Sequence, residues 1–292
     1  MEGGTRHVRQ AFTRRQHRLP RMFVEHRTDP GFTIVEVLIV LAITGLMFVS
    51  AATLISGKQN QTAFDQAAQQ VESQIQQIIN DVSIGYYPNN SDFACDGSNP
   101  ATWPQISAGA NQQGTNSGCI LLGKAIQFQV QGTSPEEFAV MPIAGLQKNI
   151  SGQDVQLLSE ARPIAIDPSI TQKALQSGLT TLFMYYNTGA SNVNVGEVAF
   201  VGSLASYSGG AIVSGSQQVN VIPVDNTNLG ANIPSTESML KTKLPTSPIN
   251  PKNGVSICFV SGTTNQSALI VIGGNRHTLG VTLTIKGNPT CT

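Results

Sequence analysis

The first strong pattern along the chain is a run of residues that is apolar on every side. No charged residue occurs between Val37 and Ser56. About 20 residues at a rise of about 1.5 Å make about 30 Å of helix, which matches the hydrocarbon core of a bilayer. A soluble protein would have to cover such a helix on all sides, and a secretory signal usually has a shorter apolar core. The pattern therefore predicts a membrane-spanning helix.

The helical pattern continues beyond this run and becomes amphipathic after Lys58. Apolar residues then recur at steps of three and four, which indicates one buried helix face: Phe64, Ala67, Ala68, Val71, Ile75, Ile78, Ile79 and Val82. The opposite face holds Gln, Asn and three acids: Asp65, Glu72 and Asp81. Gly85 and Pro88 give stop signals. We predict one helix from about Thr33 to Ile84, packed on a sheet; a free coiled-coil stalk would need a longer stripe.

Beyond the helix, short runs of β-branched and aromatic residues alternate with turn clusters. Eight runs predict strands: Ile120–Val130, Glu137–Ile143, Leu179–Asn187, Glu197–Tyr207, Gln217–Val224, Val255–Val260, Ala268–Ile272 and Thr278–Ile285. Ser169–Gln176 predicts a short helix, Pro88–Gly118 an irregular stretch and Asn226–Asn253 a long surface loop. The predicted fold class is α+β, with a long N-terminal helix packed on an antiparallel β-sheet domain and room for a second small sheet.

Composition and charge indicate where this domain resides. Only 12% of the residues are charged, about half of the fraction typical of soluble globular proteins, which fits an exported protein. The zero net charge hides an asymmetry, because residues 1–31 hold seven Arg against three acids. Positive charge before a membrane span stays in the cytoplasm. We therefore expect the N-terminus in the cytoplasm, the helix in the cytoplasmic membrane and the β-rich body outside.

One acid, Glu36, lies near the start of the apolar run, where a charge without a partner is costly. It can reach the cytoplasmic headgroups, or it can meet a cation inside an assembly. The surrounding residues, Gly31-Phe32-Thr33-Ile34-Val35-Glu36, stand between a basic leader and the apolar run. This arrangement resembles the class III signal of type IV pilins and type II secretion pseudopilins.

The resemblance implies a processing and assembly site. A membrane prepilin peptidase would cut between Gly31 and Phe32, and the new amino group of Phe32 would be methylated. The Glu36 carboxylate would pair with the Phe32 amine of a neighbouring subunit, since a buried acid and a buried ammonium are costly alone and tolerable together. The implied partners are the peptidase, other pilin subunits in a homo- or hetero-filament, the inner-membrane assembly platform and membrane lipid.

The resemblance covers about residues 25–84 and departs from the family in two places. Leaders are often shorter than 31 residues, which makes Met22 another candidate start. Thr53 stands where many pilins have Pro, so we expect the helix to soften at Gly45 and Gly57 instead. The predicted organisation is a leader, a membrane half of the helix, an amphipathic half and an exported domain: 1–31, 32–57, 58–85 and 86–292.

The four cysteines, Cys95, Cys119, Cys258 and Cys291, all lie in the predicted exported part. An even number in an oxidising compartment favours disulfides, and four cysteines allow three pairings. We favour the local pairs Cys95–Cys119 and Cys258–Cys291, which close the least regular segments. Each is worth about 3–4 kcal/mol by chain entropy. The alternative is four reduced, buried thiols.

Signals for catalysis, metals and nucleic acid are weak. The predicted body has one histidine, His277, and no motif for a nucleophile, so we expect no enzyme and no cofactor. Asp92 and Asp96 match no calcium-loop spacing, and Glu136-Glu137 indicates a solvated strand start. Five cations and no acid follow Glu237, a poor footprint for DNA binding without interleaved aromatics: Lys241, Lys243, Lys252, Arg276 and Lys286.

These observations favour a type IV pilin-like structural subunit, either a major or a minor pilin, that joins a surface filament. The first alternative is a pseudopilin of a type II secretion or competence system. The alternative from another class is a signal-anchored surface binding protein that does not polymerise. Glu36 separates the two classes, because an anchor has no need of it. An exported hydrolase is disfavoured by the lack of an acid–base constellation.

Overall fold

The structure is a computed structural model, and it describes residues 31–85, 93–108, 118–129, 136–204, 219–224, 238, 240–262, 264–273 and 279–291. The chain divides into two compact units, Met1–Ala52 and Thr53–Thr292. Residues 1–30 of the leader, with Met22, lie outside the described residues, as do Pro88, Asp92, Arg276 and His277.

Helix α1 spans Ile34–Ser83, so the predicted bounds, Thr33 to Ile84, are confirmed to within one residue at each end. Its eight buried residues are the predicted apolar stripe. Two residues after the helix stands Gly85, whose φ of 66° is left-handed and whose N–H donates to the Val82 carbonyl oxygen at 3.2 Å. Glycine adopts that conformation at little cost, which explains the stop.

Thirteen strands follow among the described residues, together with a short helix α2, Leu158–Ala161. They are β1 Phe93–Asp96, β2 Gln105–Ala108, β3 Cys119–Phe128, β4 Glu137–Leu146, β5 Ile164–Ala165, β6 Thr171–Ala174, β7 Leu179–Asn187, β8 Asn192–Asn194, β9 Glu197–Gly202, β10 Val219–Val224, β11 Val255–Ser261, β12 Ser267–Ile272 and β13 Val281–Lys286. All eight predicted strands are present, although the predicted ends at Val130, Tyr207, Gln217 and Thr278 lie outside the described residues.

The strands form three antiparallel sheets. A six-stranded sheet has the order β10-β9-β3-β4-β5, with β6 also paired to β4. A five-stranded sheet has the order β13-β12-β11-β7-β8, and β1 pairs with β2. The α+β layout is confirmed, but the body has two large sheets rather than one with a small companion.

Three expectations were wrong. Ser169–Gln176 is not helical, because a 3₁₀ turn at Asp167–Ser169 leads into β6, which pairs with β4. The irregular stretch contains β1 and β2, which are too short for their pattern to stand out from the turn residues around them. Asn226–Asn253 is not all surface loop, since residues 240–243 are helical and Leu240 and Leu244 are buried.

Two cores result from the alternation of side chains along the six-stranded sheet. The helix-side core joins the stripe of α1 to both large sheets, through residues such as Phe128, Phe200 and Phe259. The outer core lies on the other face of the six-stranded sheet and contains Ala125, Ala199, Val201, Ile222, Val224, Leu240 and Leu244. The six-stranded sheet is therefore apolar on both faces.

Candidate processing and assembly site

The start of α1 is capped by Thr33. Its carbonyl oxygen accepts hydrogen bonds from the N–H groups of Glu36 and Val37, at 3.0 and 3.2 Å, and its Oγ1 accepts from the Glu36 N–H at 3.3 Å. A threonine followed three residues later by glutamate is the sequence of a capping box. The predicted cleavage point, Gly31–Phe32, thus lies immediately before a capped helix end.

Gly31 and Phe32 are accessible in the structure. The Phe32 side chain is 82% exposed, and a Cβ added to Gly31 would meet no atom within 4 Å. The fold of this chain therefore does not require glycine at position 31. A requirement for glycine there would have to come from an enzyme that binds the segment.

Glu36 lies in the first turn of α1 and is exposed. Its carboxylate has no ion pair or hydrogen bond with any residue that the structure describes. The helix dipole stabilises a negative charge in the first turn of a helix. That stabilisation is smaller than the cost of placing the charge in lipid. The carboxylate is therefore available to a group outside this chain.

The helix that follows is long and apolar enough to cross a membrane, with a mean hydropathy of 2.5 over 18 residues and none of that window buried. Its hydroxyl groups bond to the helix itself. Thr44 Oγ1 donates to the Val40 carbonyl oxygen at 2.8 Å, and Ser50 Oγ donates to the Leu46 carbonyl oxygen at 2.9 Å. This local pairing is what a lipid-facing helix needs, because lipid offers polar groups no partner.

Both disulfides are the local pairs. Cys95 is bonded to Cys119, with Cα atoms 6.2 Å apart, and Cys258 to Cys291, with Cα atoms 5.9 Å apart. The first bond lies beside a close crossing of two backbones, since a Cβ on Gly97 would lie 2.4 Å from the Gly118 carbonyl oxygen. The second bond ties the segment after β13 to β11, and next to it Ser267 Oγ donates to the Thr290 carbonyl oxygen.

Two acids of α1 contact the sheets, which the sequence pattern did not indicate. Asp81 Oδ2 lies 2.7 Å from Lys124 Nζ on β3, with side-chain exposures of 19% and 6%. Asp65 Oδ1 accepts a hydrogen bond from Gln266 Nε2 at 3.3 Å. The pattern placed these acids on the solvent face, but charged residues adjacent to an apolar stripe can reach groups on the sheet that the stripe covers.

The structure also places several of the residues that the sequence offered as weaker candidates for metal or nucleic-acid binding. Asp96 is fully exposed, and hydrogen bonds from the Ser98 backbone N–H and then its side chain lower the pKa of its carboxyl. Among the described residues no three His, Cys, Asp or Glu side chains form a metal-binding group. Glu136 and Glu137 stand at the start of β4, as predicted. Lys286 Nζ donates to the Cys291 carbonyl oxygen at 3.3 Å.

Sequence reasoning missed Glu197 as an unusual residue. It is completely buried at the start of β9, and neither carboxyl oxygen has a hydrogen-bond partner among the residues that the structure describes. Burial raises the pKa of the Glu197 carboxyl well above its ordinary value. The available signal was an acid opening the apolar run Glu197–Val201, but an acid after Gly196 also fits an exposed turn.

The arrangement of the helix and the sheets defines the class of protein. One long apolar N-terminal helix with an uncovered first part, packed through its second part on antiparallel sheets, is the α+β layout of pilin-like proteins. Residues 27–52 match the family model of the prokaryotic N-terminal methylation motif. The chain therefore carries the class III prepilin signal of type IV pilins and pseudopilins. No curated protein and no solved structure is similar enough to count as a match.

Proposed function

We propose that this chain is the precursor of a type IV pilin-like structural subunit. A prepilin peptidase cuts it between Gly31 and Phe32, the Phe32 amine is methylated, and the mature subunit joins a surface filament through its N-terminal helix. The subunit is held in the cytoplasmic membrane before assembly, with its body outside. Its role is structural, and it is the substrate of an enzyme rather than an enzyme.

The observation that carries this proposal is the free carboxylate of Glu36 within a matched methylation motif. No residue that the structure describes pairs with that carboxylate, although an acid in a membrane segment costs about 2.5–3.5 kcal/mol on insertion scales. A simple anchor gains nothing from such a residue. A subunit that pairs it with the Phe32 ammonium of its neighbour gains a fixed axial register.

The processing step is tested by N-terminal sequencing of the protein recovered from cells. The mature chain should begin at Phe32, and Gly31→Val should accumulate as full-length precursor in the membrane. Gly45→Val is the matched control, since Gly45 also has no atom within 4 Å of an added Cβ and lies downstream of the cut. A mature N-terminus near Ala51 would indicate ordinary signal peptidase and would contradict the proposal.

The assembly step is tested by comparing sheared filaments with the membrane-bound pool. Glu36→Val should be processed and stored normally but give few or no filaments, because the Phe32 ammonium would be buried alone at a cost of about 3–5 kcal/mol. Glu36→Asp should be intermediate. Glu72→Val, an acid on the same helix outside the matched motif, should assemble. Normal filament yield from Glu36→Val would favour the surface-anchor alternative.

A pseudopilin of a type II secretion or competence system is the second candidate, because the matched motif is shared by both classes. The same shearing experiment separates them. A major or minor pilin is recovered in filaments longer than the cell envelope, whereas a pseudopilin at native expression is not.

A further inference from the structure

Glu197 is a buried acid at one end of the outer core. By register, Glu197 stands opposite Gln127 on β3 and opposite Val224 on β10. Ala199 and Val201, on the same face of β9, belong to the outer core, so Glu197 points into that apolar layer. An ionised carboxylate without a partner in such a place is prohibitively costly.

No charge in the described part of the chain compensates Glu197. Lys124 on β3 lies on the opposite face, where it binds Asp81. The other charged side chains on or beside the elements around the outer core include Glu137 on β4, Asp154 beside Val155, Glu160 and Arg162 at α2, Lys173 on β6, and Lys241 and Lys243 beside Leu240. Burial raises the pKa of the Glu197 carboxyl, and none of these described groups lowers it again.

The position of Glu197 makes its protonation state matter to the sheet. Strand β9 is the only strand that joins β10 to the rest of the described six-stranded sheet. Glu197 and Val224 form the last pair of that junction. If Glu197 ionised, the carboxylate would need water, and this end of β9 would have to separate from β3 and β10.

We propose that Glu197 is a proton-dependent latch: as the neutral carboxylic acid it closes the β3–β9–β10 end of the outer core, and its ionisation opens that end. The step transfers the carboxyl proton to solvent and breaks no covalent bond. The opened state would release β10 and expose Ala199, Ile222 and Val224. The closed state is favoured in acid, so the globular unit of an exported subunit is held more firmly at low pH than at high pH.

The sign of the pH effect follows from proton linkage. Above the ordinary carboxyl value of 4.5, the opened state loses its proton while the closed state keeps it. The opening constant then rises about tenfold per pH unit until the raised pKa of Glu197 is reached. Stability from the latch is therefore complete below the ordinary value and is lost as the pH rises.

Hydrogen exchange of the full-length protein in detergent, followed by mass spectrometry, tests the latch. For peptides covering β9 and β10, the exchange-rate ratio of wild type to Glu197→Gln should rise about tenfold per pH unit above about pH 5. Peptides covering β11 and β12 should keep a constant ratio. Glu137→Gln, an acid-to-amide change at the start of β4 where the side chain is part-exposed, should show no such rise.

If Glu197→Gln folds poorly, Glu197→Leu can replace it. Glu197→Leu also has no ionisable group at this position and should show the same loss of pH dependence. Within the wild type alone, exchange of β10 relative to β11 should increase with pH. An infrared difference spectrum between wild type and variant, recorded just above the ordinary carboxyl value of 4.5, should contain the C=O band of a protonated carboxylic acid. A pH-independent ratio, or the absence of that band, would overturn the proposal.

Discussion

Residues 34–52 and residues 64–82 belong to one continuous helix and are both rich in large apolar side chains, but different surroundings cover them. Phe48, in the first segment, is 75% exposed, whereas Phe64, in the second, is 1% exposed. The first segment has no buried residue, and the second holds all eight buried residues of α1. The sheets of the same chain cover the second segment, whereas no described residue covers the first, which is long and apolar enough to cross a membrane.

The polar groups of the two segments differ in the same way. In the first segment, Thr44 and Ser50 bond to carbonyl oxygens of their own helix. In the second, Asp65 and Asp81 bond to residues distant in sequence. Glu36 departs from this rule, since within the described part of the chain its carboxylate has neither kind of partner. The partners of the polar groups thus distinguish the part of the helix that packs on the sheets from the part that does not. The Glu36 carboxylate is the exception, which indicates a contact with a group outside this chain.

The largest expected effect tests whether the two segments contribute separately to stability. Phe64→Ala should lower the free energy of unfolding of the globular unit by about 3–5 kcal/mol, because it empties a well-packed core site. Phe48→Ala, the same change on the same helix, should leave that free energy within about 0.5 kcal/mol. Denaturant unfolding of the detergent-solubilised protein measures both. Equal losses from the two variants would show that the first segment also stabilises the globular unit.

The second prediction compares two ion pairs that differ in burial, Asp81–Lys124 and Asp154–Lys148. Asp81→Ala should destabilise the globular unit by about 2–4 kcal/mol, somewhat below the cost of breaking a fully buried pair because Asp81 keeps some exposure. Asp154→Ala breaks the more exposed Lys148–Asp154 pair, at 2.6 Å, and should cost about 0–1 kcal/mol.

Glu36→Val is a control on the same helix, since it should not change the free energy of unfolding of the globular unit at all.

Combining Asp81→Ala with Lys124→Met should recover part of the stability lost by Asp81→Ala alone, because the buried ammonium is removed as well. If Asp81→Ala cost no more than Asp154→Ala, the Asp81–Lys124 pair would not be the contact that fastens α1 to β3.

The features that could be predicted from sequence are those with a strong local signal. The 3.6-residue period gave the bounds of α1 and its buried stripe, and alternation between apolar runs and turns gave eight strands. The class III signal needed only the residues from Gly31 to Glu36 and the run behind them. In each case the physical cause lies within a few residues of the pattern.

The missed features depend on residues that are distant in sequence. Asp81 meets Lys124 across 43 residues, and nothing near Asp81 indicates that contact. Glu197 is unusual only because the sheet and the outer core enclose it, which its own flanking residues do not reveal. β6 shows the same limit, since Thr171–Ala174 is extended because β4 pairs with it.

The smallest expected effect concerns the stretch between the two segments, where residues 53–62 are exposed on all sides. Gly57 lies there, and a Cβ added to it would meet no atom within 4 Å. Gly57→Ala should therefore stabilise the helix locally by about 0.5–1 kcal/mol, because alanine loses less backbone entropy in a helix. Hydrogen exchange across residues 54–62 should slow by a few-fold, while the midpoint of denaturant unfolding of the globular unit stays unchanged. Ala63→Gly, close by on the same helix, should have the opposite effect on exchange. If neither change altered exchange, the helix would not soften at Gly57, and the stretch between the exposed and the sheet-covered segments would be as rigid as the segments themselves.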